Sequence, residues 1–364
     1  MFAPSGKGRA HRVQRWQGCA KRTTHASHSG RAGQAPQIAQ RLVTVGIQRG
    51  IRSAGMVRSI YSAPLPMASS ERPPTIDPVA AARWEQAAPA MSPWLHEEVG
   101  RRMEERLQWI KRAPDAWAAW EPVRGGLQAH AGVAQRYPQA RVHVVEPQPQ
   151  RAAVAREQLE QPWWRRLGGS KVEFGVPAAG SVQMLWSNML LHTAADPQAL
   201  MRQWHEALAV DGFLMFSCLG PDTLRELRAV YDANGWPPPG HEFTDMHDWG
   251  DMLVHSGFAE PVMDMERITL AFDTPERLLH ELRELGANLH PQRFAALRGR
   301  HWPNRLKAGL DRQVRSPEGK LTLTFEIVYG HALKPVPRAR MGEETAVSVG
   351  DMRAMLQSGG RGRS

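Results

Sequence analysis

The chain has 364 residues and a formal net charge of +10, yet 11 of its 46 Lys+Arg and none of its 36 Asp+Glu fall in residues 1–70, which leaves residues 71–364 with 35 basic and 36 acidic side chains, a net of −1. A nearly neutral body excludes nucleic-acid binding argued from charge, because such domains concentrate positive charge on the folded part. No stretch reaches the ~18 consecutive apolar residues of a membrane-spanning helix, and the two cysteines, Cys19 and Cys218, exclude a disulfide framework and a cysteine-based zinc site and suit a reducing, cytoplasmic compartment.

Residues 1–66 are rich in Arg, Ser, Gly and His, without acids or sustained periodicity, and such a segment buries too little apolar surface to offset its chain entropy. Three readings compete. It is a transit peptide, a nucleic-acid-binding arm, or the product of an upstream start, with translation beginning at Met56 or Met67. The third is favoured, because Met67 is followed by the polar stretch Ala-Ser-Ser-Glu-Arg-Pro-Pro and then by amphipathic sequence.

Asp77 before Pro78 is an N-cap with proline in the first turn and predicts a helix from residue 78. Pro93 opens a second helix, 94 to about 111, with Leu95, Val99, Met103, Leu107 and Ile110 at helical spacing. Strand and helix then alternate. Residues 116–120 form a short apolar strand, followed by Gly125-Gly126 and a helix to Tyr137. Residues 141–145 are a strand ending in Glu146, 151–159 a helix, and 171–174 and 181–186 two further strands, the second leading into Ser187-Asn188. Residues 197–208 are a helix, and Asp211-Gly212 turns into a fifth strand through Cys218. The alternation implies a parallel sheet with right-handed crossovers.

The ending differs. A helix at 222–231 and a Pro/Gly loop at 234–240 precede a helix at 244–256 that stops at Gly257. A long strand (260–272), a helix capped by Thr274-Pro275 and running to Gly286, a basic and partly helical insertion (288–318) and a last strand (321–331) follow. Two long late strands fit an antiparallel pair at one sheet edge. The expected organisation is a leader (1–70), a helical lid (71–112), an α/β domain (113–335) and a disordered tail (336–364).

Trp186-Ser-Asn-Met-Leu-Leu-His192, Asp196-Pro197 and Asp211-Gly212-Phe-Leu-Met-Phe-Ser217 are similar to the fourth and fifth strands of the class I methyltransferases that use S-adenosylmethionine. Phe216-Ser-Cys-Leu-Gly-Pro-Asp-Thr-Leu-Arg-Glu-Leu227, His241-Glu-Phe-Thr-Asp-Met-His-Asp-Trp249, Leu285-Gly-Ala-Asn-Leu-His290 and Leu323-Thr-Phe-Glu-Ile-Val-Tyr-Gly-His331 together resemble the proteobacterial malonyl-acyl-carrier-protein O-methyltransferases of biotin synthesis, over roughly residues 78–335. The resemblance implies a doubly wound, Rossmann-like α/β fold. Its seven-stranded sheet would be mostly parallel with an antiparallel edge pair, preceded by N-terminal helices. It also implies S-adenosylmethionine as cofactor and the malonyl form of acyl-carrier protein as substrate partner. The chain is expected to be a cytoplasmic monomer without membrane or nucleic-acid partners.

Members of this superfamily bind the cofactor with a strand and a turn of the form Asp-x-Gly-x-Gly-x-Gly, where glycines allow close backbone approach. Here Glu121-Pro-Val-Arg-Gly125-Gly126-Leu127 stands in that place, with Glu121 as the acid and Gly125 and Gly126 in the turn. Val123 and Leu127 occupy two glycine positions and are expected to put side chains where the cofactor lies. Glu146, 21 residues after Gly125, is placed to accept hydrogen bonds from the ribose hydroxyls. The acid expected after the third strand is replaced by Gly175-Val-Pro-Ala-Ala179.

Asn188 and His192 fall at the carboxyl end of the fourth strand, on the crevice side where such sheets bind ligands. Asn188 reads as a contact to cofactor or substrate, or as a turn-capping residue; His192 reads as a packed histidine. The resemblance places Met91 where a lid tyrosine is usual and His96 where glutamine is common. A malonyl carboxylate is already ionised at pH 7, so catalysis rests on positioning and dehydration with a cation, preferably arginine, on the carboxylate. Arg225 and Arg228 are the candidates, with Arg293, Arg298 and Arg300 in the insertion. The insertion's basic residues, which also include Arg305, Lys307 and Arg312, form a docking face for an acidic carrier. No metal site is expected. The rival reading is a methyltransferase fold that has lost cofactor binding and serves as a binding or assembly protein.

Overall fold

The computed structural model describes residues 76–160 and 172–337. The leader to residue 75, Lys171 at the start of the third predicted strand, and residues 338–364 lie outside them.

Helix α1 (Pro78–Ala87) starts where Asp77 predicts, its carboxylate accepting from the backbone N–H of Val79 at 2.8 Å and Ala80 at 3.3 Å. Helix α2 (Trp94–Arg106) buries Leu95, Val99 and Met103, and ends short of residue 111 in a single 3-10 turn, Leu107–Trp109. Its basic face is pinned to the far sheet edge. Arg102 pairs with Glu266 and Arg106 with Asp264, each at 2.9 Å, and the Arg106 guanidinium lies 3.7 Å from the centre of the Tyr329 ring.

Strands β1 (Ala116–Trp120), β2 (Arg141–Val145), β3 (Val172–Phe174), β4 (Val182–Ser187) and β5 (Leu208–Leu219) alternate with helices α3 (Pro122–Gly125), α4 (Leu127–Arg136), α5 (Pro149–Leu159) and α6 (Pro197–Ala207). Helices α7 (Arg225–Ala233) and α8 (Met246–His255), strand β6 (Ala259–Phe272), helices α9 (Pro275–Leu285) and α10 (Trp302–Gln313) and strand β7 (Leu321–Leu333) complete the order. The sheet runs β3-β2-β1-β4-β5-β7-β6, with β1 to β5 pairing in parallel and β7 antiparallel to both of its neighbours. The predicted edge pair is present, and within it only β7 runs against the rest. The order reverses between β1 and β4, and the carboxyl ends of those two strands open the crevice.

Strand alternation divides the core between two faces. Trp117, Ala119, Met184, Trp186, Phe213 and Met215 pack toward α2, α4 and α7, whereas Ala118, Trp120, Leu185, Leu214 and Phe216 pack toward α6 and α8. Trp117, Trp204 and Phe216 are wholly buried, each contributing roughly 1.5–3 kcal/mol of transfer free energy.

Two predicted starts move by three residues or more. The fifth strand begins at Leu208 rather than after Asp211-Gly212, because Asp211 adopts φ 60° inside a bulge whose backbone pairs with Lys334 in both directions at 2.8 Å. Helix α7 begins at Arg225 rather than residue 222, because Leu224 is left-handed at φ 58° and donates its N–H to Thr324 at 2.7 Å. The insertion is anchored at both ends. Asp77 donates its N–H to the Leu289 carbonyl at 2.9 Å and pairs with Arg293 at 2.6 Å, while α10 buries Leu306 and Leu310.

Candidate active site

Glu121 follows β1 in a left-handed conformation, φ 52°, and the acid at the end of β2, Glu146, comes beside it. Their meeting point is Arg151, in the first turns of α5. Its Nη2 donates to Glu121 at 3.0 Å and its Nε to Glu146 at 3.3 Å, and its Nη1 reaches the Glu85 carbonyl of α1 at 2.8 Å. Arg151 is only 3% exposed. The second oxygen of Glu146 accepts the N–H of Val123 at 2.8 Å. Burial raises the Glu121 carboxyl to about 7 against the pull of Arg151, and burial raises Glu146 as well. The two predicted acids are thus brought together, but Glu146 supports the turn from behind while Glu121 faces the crevice.

The glycine turn needs its glycines. Gly126 has φ 124°, and a Cβ at Gly125 would stand 3.0 Å from the Asn188 carbonyl oxygen. Val123 and Leu127 do not intrude as expected: Val123 is wholly buried in the core, Leu127 packs against the same core, and neither borders the crevice. The sequence argument for a relative without cofactor rested on those two side chains. Asn188 borders neither of the two cavities described below and is held by the protein itself. Its amide donates to the His96 carbonyl at 2.7 Å and to that of Gly125, and its oxygen accepts the Ser217 hydroxyl at 2.5 Å. A neighbouring glutamate that the pattern did not flag, Glu97 of α2, accepts the N–H groups of Gln128 and Ala129 at 3.1 Å and caps α4.

Two cavities open at the reversal point. One, of about 310 Å³, lies between Trp84 and Ala81 of α1 and the polar group Glu121, Arg124, Arg151 and His96. The other, of about 300 Å³, is walled by Leu227, Tyr231, Phe243, Trp302 and Phe325. His192, Thr193 and Leu285 border both. Arg124 spans from Met91, whose carbonyl accepts at 2.9 Å, to the Glu284 carbonyl at 2.8 Å, and burial together with the charge of Arg151 lowers it to about 10. His96 donates from Nδ1 to the Arg124 carbonyl at 2.8 Å and is pushed down to about 3, chiefly by burial.

The first cavity suits S-adenosylmethionine: it offers three carboxylates, of Glu85, Glu121 and Asp196, and two guanidinium groups, of Arg124 and Arg151, against apolar walls, and the two non-glycine residues of the turn leave it clear. Among the described residues no group of three or more His, Cys, Asp or Glu could hold a metal ion.

Arg225 and Arg228 border neither cavity. Arg225 pairs with Glu226 at 3.2 Å, and Arg228 donates to the Pro221 carbonyl. In the insertion, Arg293 is taken by Asp77, Lys307 pairs with Glu276 at 2.8 Å, and Arg298 lies 3.5 Å from the centre of the Trp302 ring. Arg305 stands over Trp236, whereas Arg300 and Arg312 have no ion pair among the described residues. The cation that does border the apolar cavity is Arg283 of α9, which has no charge partner among the described residues. Its signal was present in the sequence, since Leu279, Leu282 and Arg283 share one helical face and all three line that cavity.

No family model matches the chain. The malonyl-[acyl-carrier protein] O-methyltransferase of Laribacter hongkongensis is 38% identical over 274 residues, covering 72% of this chain and 88% of that protein. The chain belongs to the malonyl-[acyl-carrier protein] O-methyltransferase family. The family member of Gallionella capsiferriformans is 39% identical over 262 residues, covering 67% of this chain and 85% of its own length. That of Legionella pneumophila is 31% identical over 260 residues. Among solved structures, the 1,6-didemethyltoxoflavin-N1-methyltransferase of Burkholderia thailandensis, with its ligand and S-adenosylhomocysteine bound, shares 16% identity at a TM-score of 0.36, covering 67% of this chain and 81% of that one. This likeness is too loose to add to what the sheet order itself says of the fold.

Proposed function

We propose that this member of the family methylates the free carboxylate of malonyl-acyl-carrier protein. The observation that supports the reading is the pair of cavities sharing the wall His192, Thr193 and Leu285, one polar and one apolar. Glu121, Arg124 and Arg151 would hold S-adenosylmethionine, which when bound supplies a methyl group on a positively charged sulfur. The apolar cavity takes the acyl arm, and Leu227, Tyr231 and Phe325 strip water from the carboxylate before it reacts. No base is required, because a malonyl carboxylate is ionised at pH 7.

Arg283, exposed yet bordering the apolar cavity, meets an anion at the mouth, such as the phosphodiester of the carrier's pantetheine arm. Arg225, Arg228, Arg300 and Arg312 are left for the acidic surface of the carrier rather than for the reacting carboxylate. A cytoplasmic reaction agrees with the free, buried thiol of Cys218. Among the described residues no helix is long and apolar enough to cross a membrane.

The direct test incubates the purified chain with S-adenosylmethionine and malonyl-acyl-carrier protein and weighs the carrier by mass spectrometry. The expected product is the methyl ester, together with growth of a complemented biotin auxotroph. Absence of S-adenosylhomocysteine binding at millimolar ligand in calorimetry would sink the reading.

A further inference from the structure

We propose that His192 is the hydrogen-bond donor that holds the substrate carboxylate in place for methyl transfer, its ring fixed in one tautomer by the backbone of β5. The inference rests on the two-cavity reading above.

His192 follows β4, is 6% exposed, and borders both the polar and the apolar cavity. It therefore stands where a donor in one cavity and an acceptor in the other must meet. The N–H of Leu219, at the end of β5, donates to its Nδ1 at 3.4 Å. That nitrogen is an acceptor, so the proton of the neutral ring sits on Nε2. The ring is braced edge-on by Phe243, with centroids 5.9 Å apart at 68°. Its own peptide is braced too, because the buried His241 donates from Nε2 to the His192 carbonyl at 2.8 Å. Nε2 has no hydrogen-bond partner among the described residues, nor is it among the buried side-chain atoms left unpaired, which leaves it facing open space.

Burial, reinforced by the neighbouring His96, His241 and the Arg124 guanidinium, which disfavour a further positive charge, holds the ring well below the usual histidine range. The donor is therefore a neutral imidazole throughout the working pH range. That choice suits the chemistry. A single N–H fixes one carboxylate oxygen and leaves the other to attack. A guanidinium in the same place would engage both oxygens in a bidentate pair and hold back the nucleophile. In the reaction one C–O bond forms and one C–S bond breaks, the electron pair of the latter passes to sulfur, and no proton changes hands. His192 needs only to donate, never to transfer.

The test compares wild type, H192Q, H192F and H192L with malonyl-acyl-carrier protein under steady-state conditions. Glutamine keeps an N–H donor; phenylalanine and leucine do not. H192F and H192L are expected to lose roughly 10- to 100-fold in kcat/KM, the range for a lost hydrogen bond to a charged group. H192Q should recover most of that loss. S-adenosylhomocysteine affinity, by calorimetry, should stay within about twofold in all variants that unfold cooperatively. Full activity in H192F, or a loss in H192Q equal to that in H192F, would overturn the proposal. So would a fall in S-adenosylhomocysteine affinity as large as the fall in kcat/KM, because it would give His192 a purely architectural role. A wild-type protein that binds S-adenosylhomocysteine but does not methylate malonyl-acyl-carrier protein overturns the functional reading and this inference with it. An active wild type with an active H192F overturns this inference alone.

Discussion

The amide of Asn188 donates to the carbonyl of Gly125 and so ties the end of β4 to the glycine turn after β1. The same nitrogen reaches the His96 carbonyl of α2 at 2.7 Å, and the Asn188 oxygen takes the Ser217 hydroxyl of β5 at 2.5 Å. Asn188 is 3% exposed and Ser217 fully buried, so none of these groups can turn to water instead. Asn188→Leu should therefore lose about 2–4 kcal/mol, the cost of leaving buried carbonyls and a hydroxyl unpaired. Asn188→Asp should lose more, because it sets carboxylate oxygens against two carbonyl oxygens. Ser217→Ala removes the donor to the Asn188 oxygen, while the Met189 N–H, which the hydroxyl also accepts at 3.1 Å, keeps the Ser217 carbonyl at 3.0 Å, so it should lose about 1 kcal/mol. Urea unfolding of the three variants checks the order; equal midpoints for Asn188→Leu and wild type would show that the tie is idle.

Arg151 is the second clamp, and its loss is predicted to be more severe. It is 3% exposed and lies between Glu121 and Glu146, which would remain as two buried carboxylates without a counter-ion. Breaking a buried pair by removing one partner typically costs about 3–5 kcal/mol. Arg151→Met should lose an amount of that order and should also free α1 at the Glu85 carbonyl, weakening S-adenosylhomocysteine binding. Arg151→Met combined with Glu121→Gln should recover part of the stability. A double variant no more stable than Arg151→Met would mean that Glu121 feels little of the guanidinium.

Much of the scaffold could be read from the chain because its strands are buried on both faces and so appear as short continuous apolar runs. Residues 116–120 match β1 for that reason, and 141–145 match β2 through Val142, Val144 and Val145, which are buried although Arg141 is exposed and His143 half-buried. The two starts that moved furthest did so where a non-glycine residue takes a left-handed conformation, Asp211 at φ 60° and Leu224 at φ 58°. Such conformations are fixed by pairing with β7 and the residue after it, far along the chain. In the site, the sequence placed Glu121 and Glu146 at the ends of neighbouring strands, but did not tell that Glu121 alone would border the crevice while Glu146 holds the Val123 N–H. Arg151 was not legible, since its role depends on which way α5 turns its third residue, toward a partner 30 positions earlier. The direction of Val123 was equally hidden. A side chain at a glycine position can enter the ligand site or the core, and only the packing beneath the turn decides.

Glu121 also makes a prediction about pH. Its carboxyl titrates at about 7 in the folded chain against an ordinary value of 4.5, because burial disfavours the charged form. Between those values the native state holds a proton that the unfolded chain has released. Stability therefore falls as pH rises from below the lower value to above the upper one, by on the order of 3 kcal/mol at most. Glu121→Gln has no such proton to lose, and Arg151 keeps Glu146 as its partner. The stability of Glu121→Gln minus that of wild type should increase from pH 5 to pH 8, as measured by chemical denaturation at each pH. Parallel curves would place the Glu121 carboxyl near its ordinary value.

The cation that reads the incoming substrate is predicted to be Arg283 rather than Arg225 or Arg228. Arg283 borders the apolar cavity without a charge partner among the described residues, whereas Arg225 is taken by Glu226 and Asp222 and borders neither cavity. An exposed guanidinium at a cavity mouth adds to binding before the reaction more than to the reaction itself. Arg283→Ala should therefore raise KM for malonyl-acyl-carrier protein about 5- to 20-fold with kcat changed little, a difference of about 1–2 kcal/mol in binding. S-adenosylhomocysteine affinity should not move, since Arg283 does not border the polar cavity. Arg225→Ala and Arg228→Ala act, if at all, through the long-range attraction of an acidic carrier, so their effect should shrink as salt is raised. The Arg283 effect should persist better, because its anion would be partly shielded by the mouth of the cavity. Steady-state kinetics of the three variants at low and high salt separate the two roles. A larger KM effect in Arg225→Ala than in Arg283→Ala, undiminished by salt, would return the substrate cation to α7.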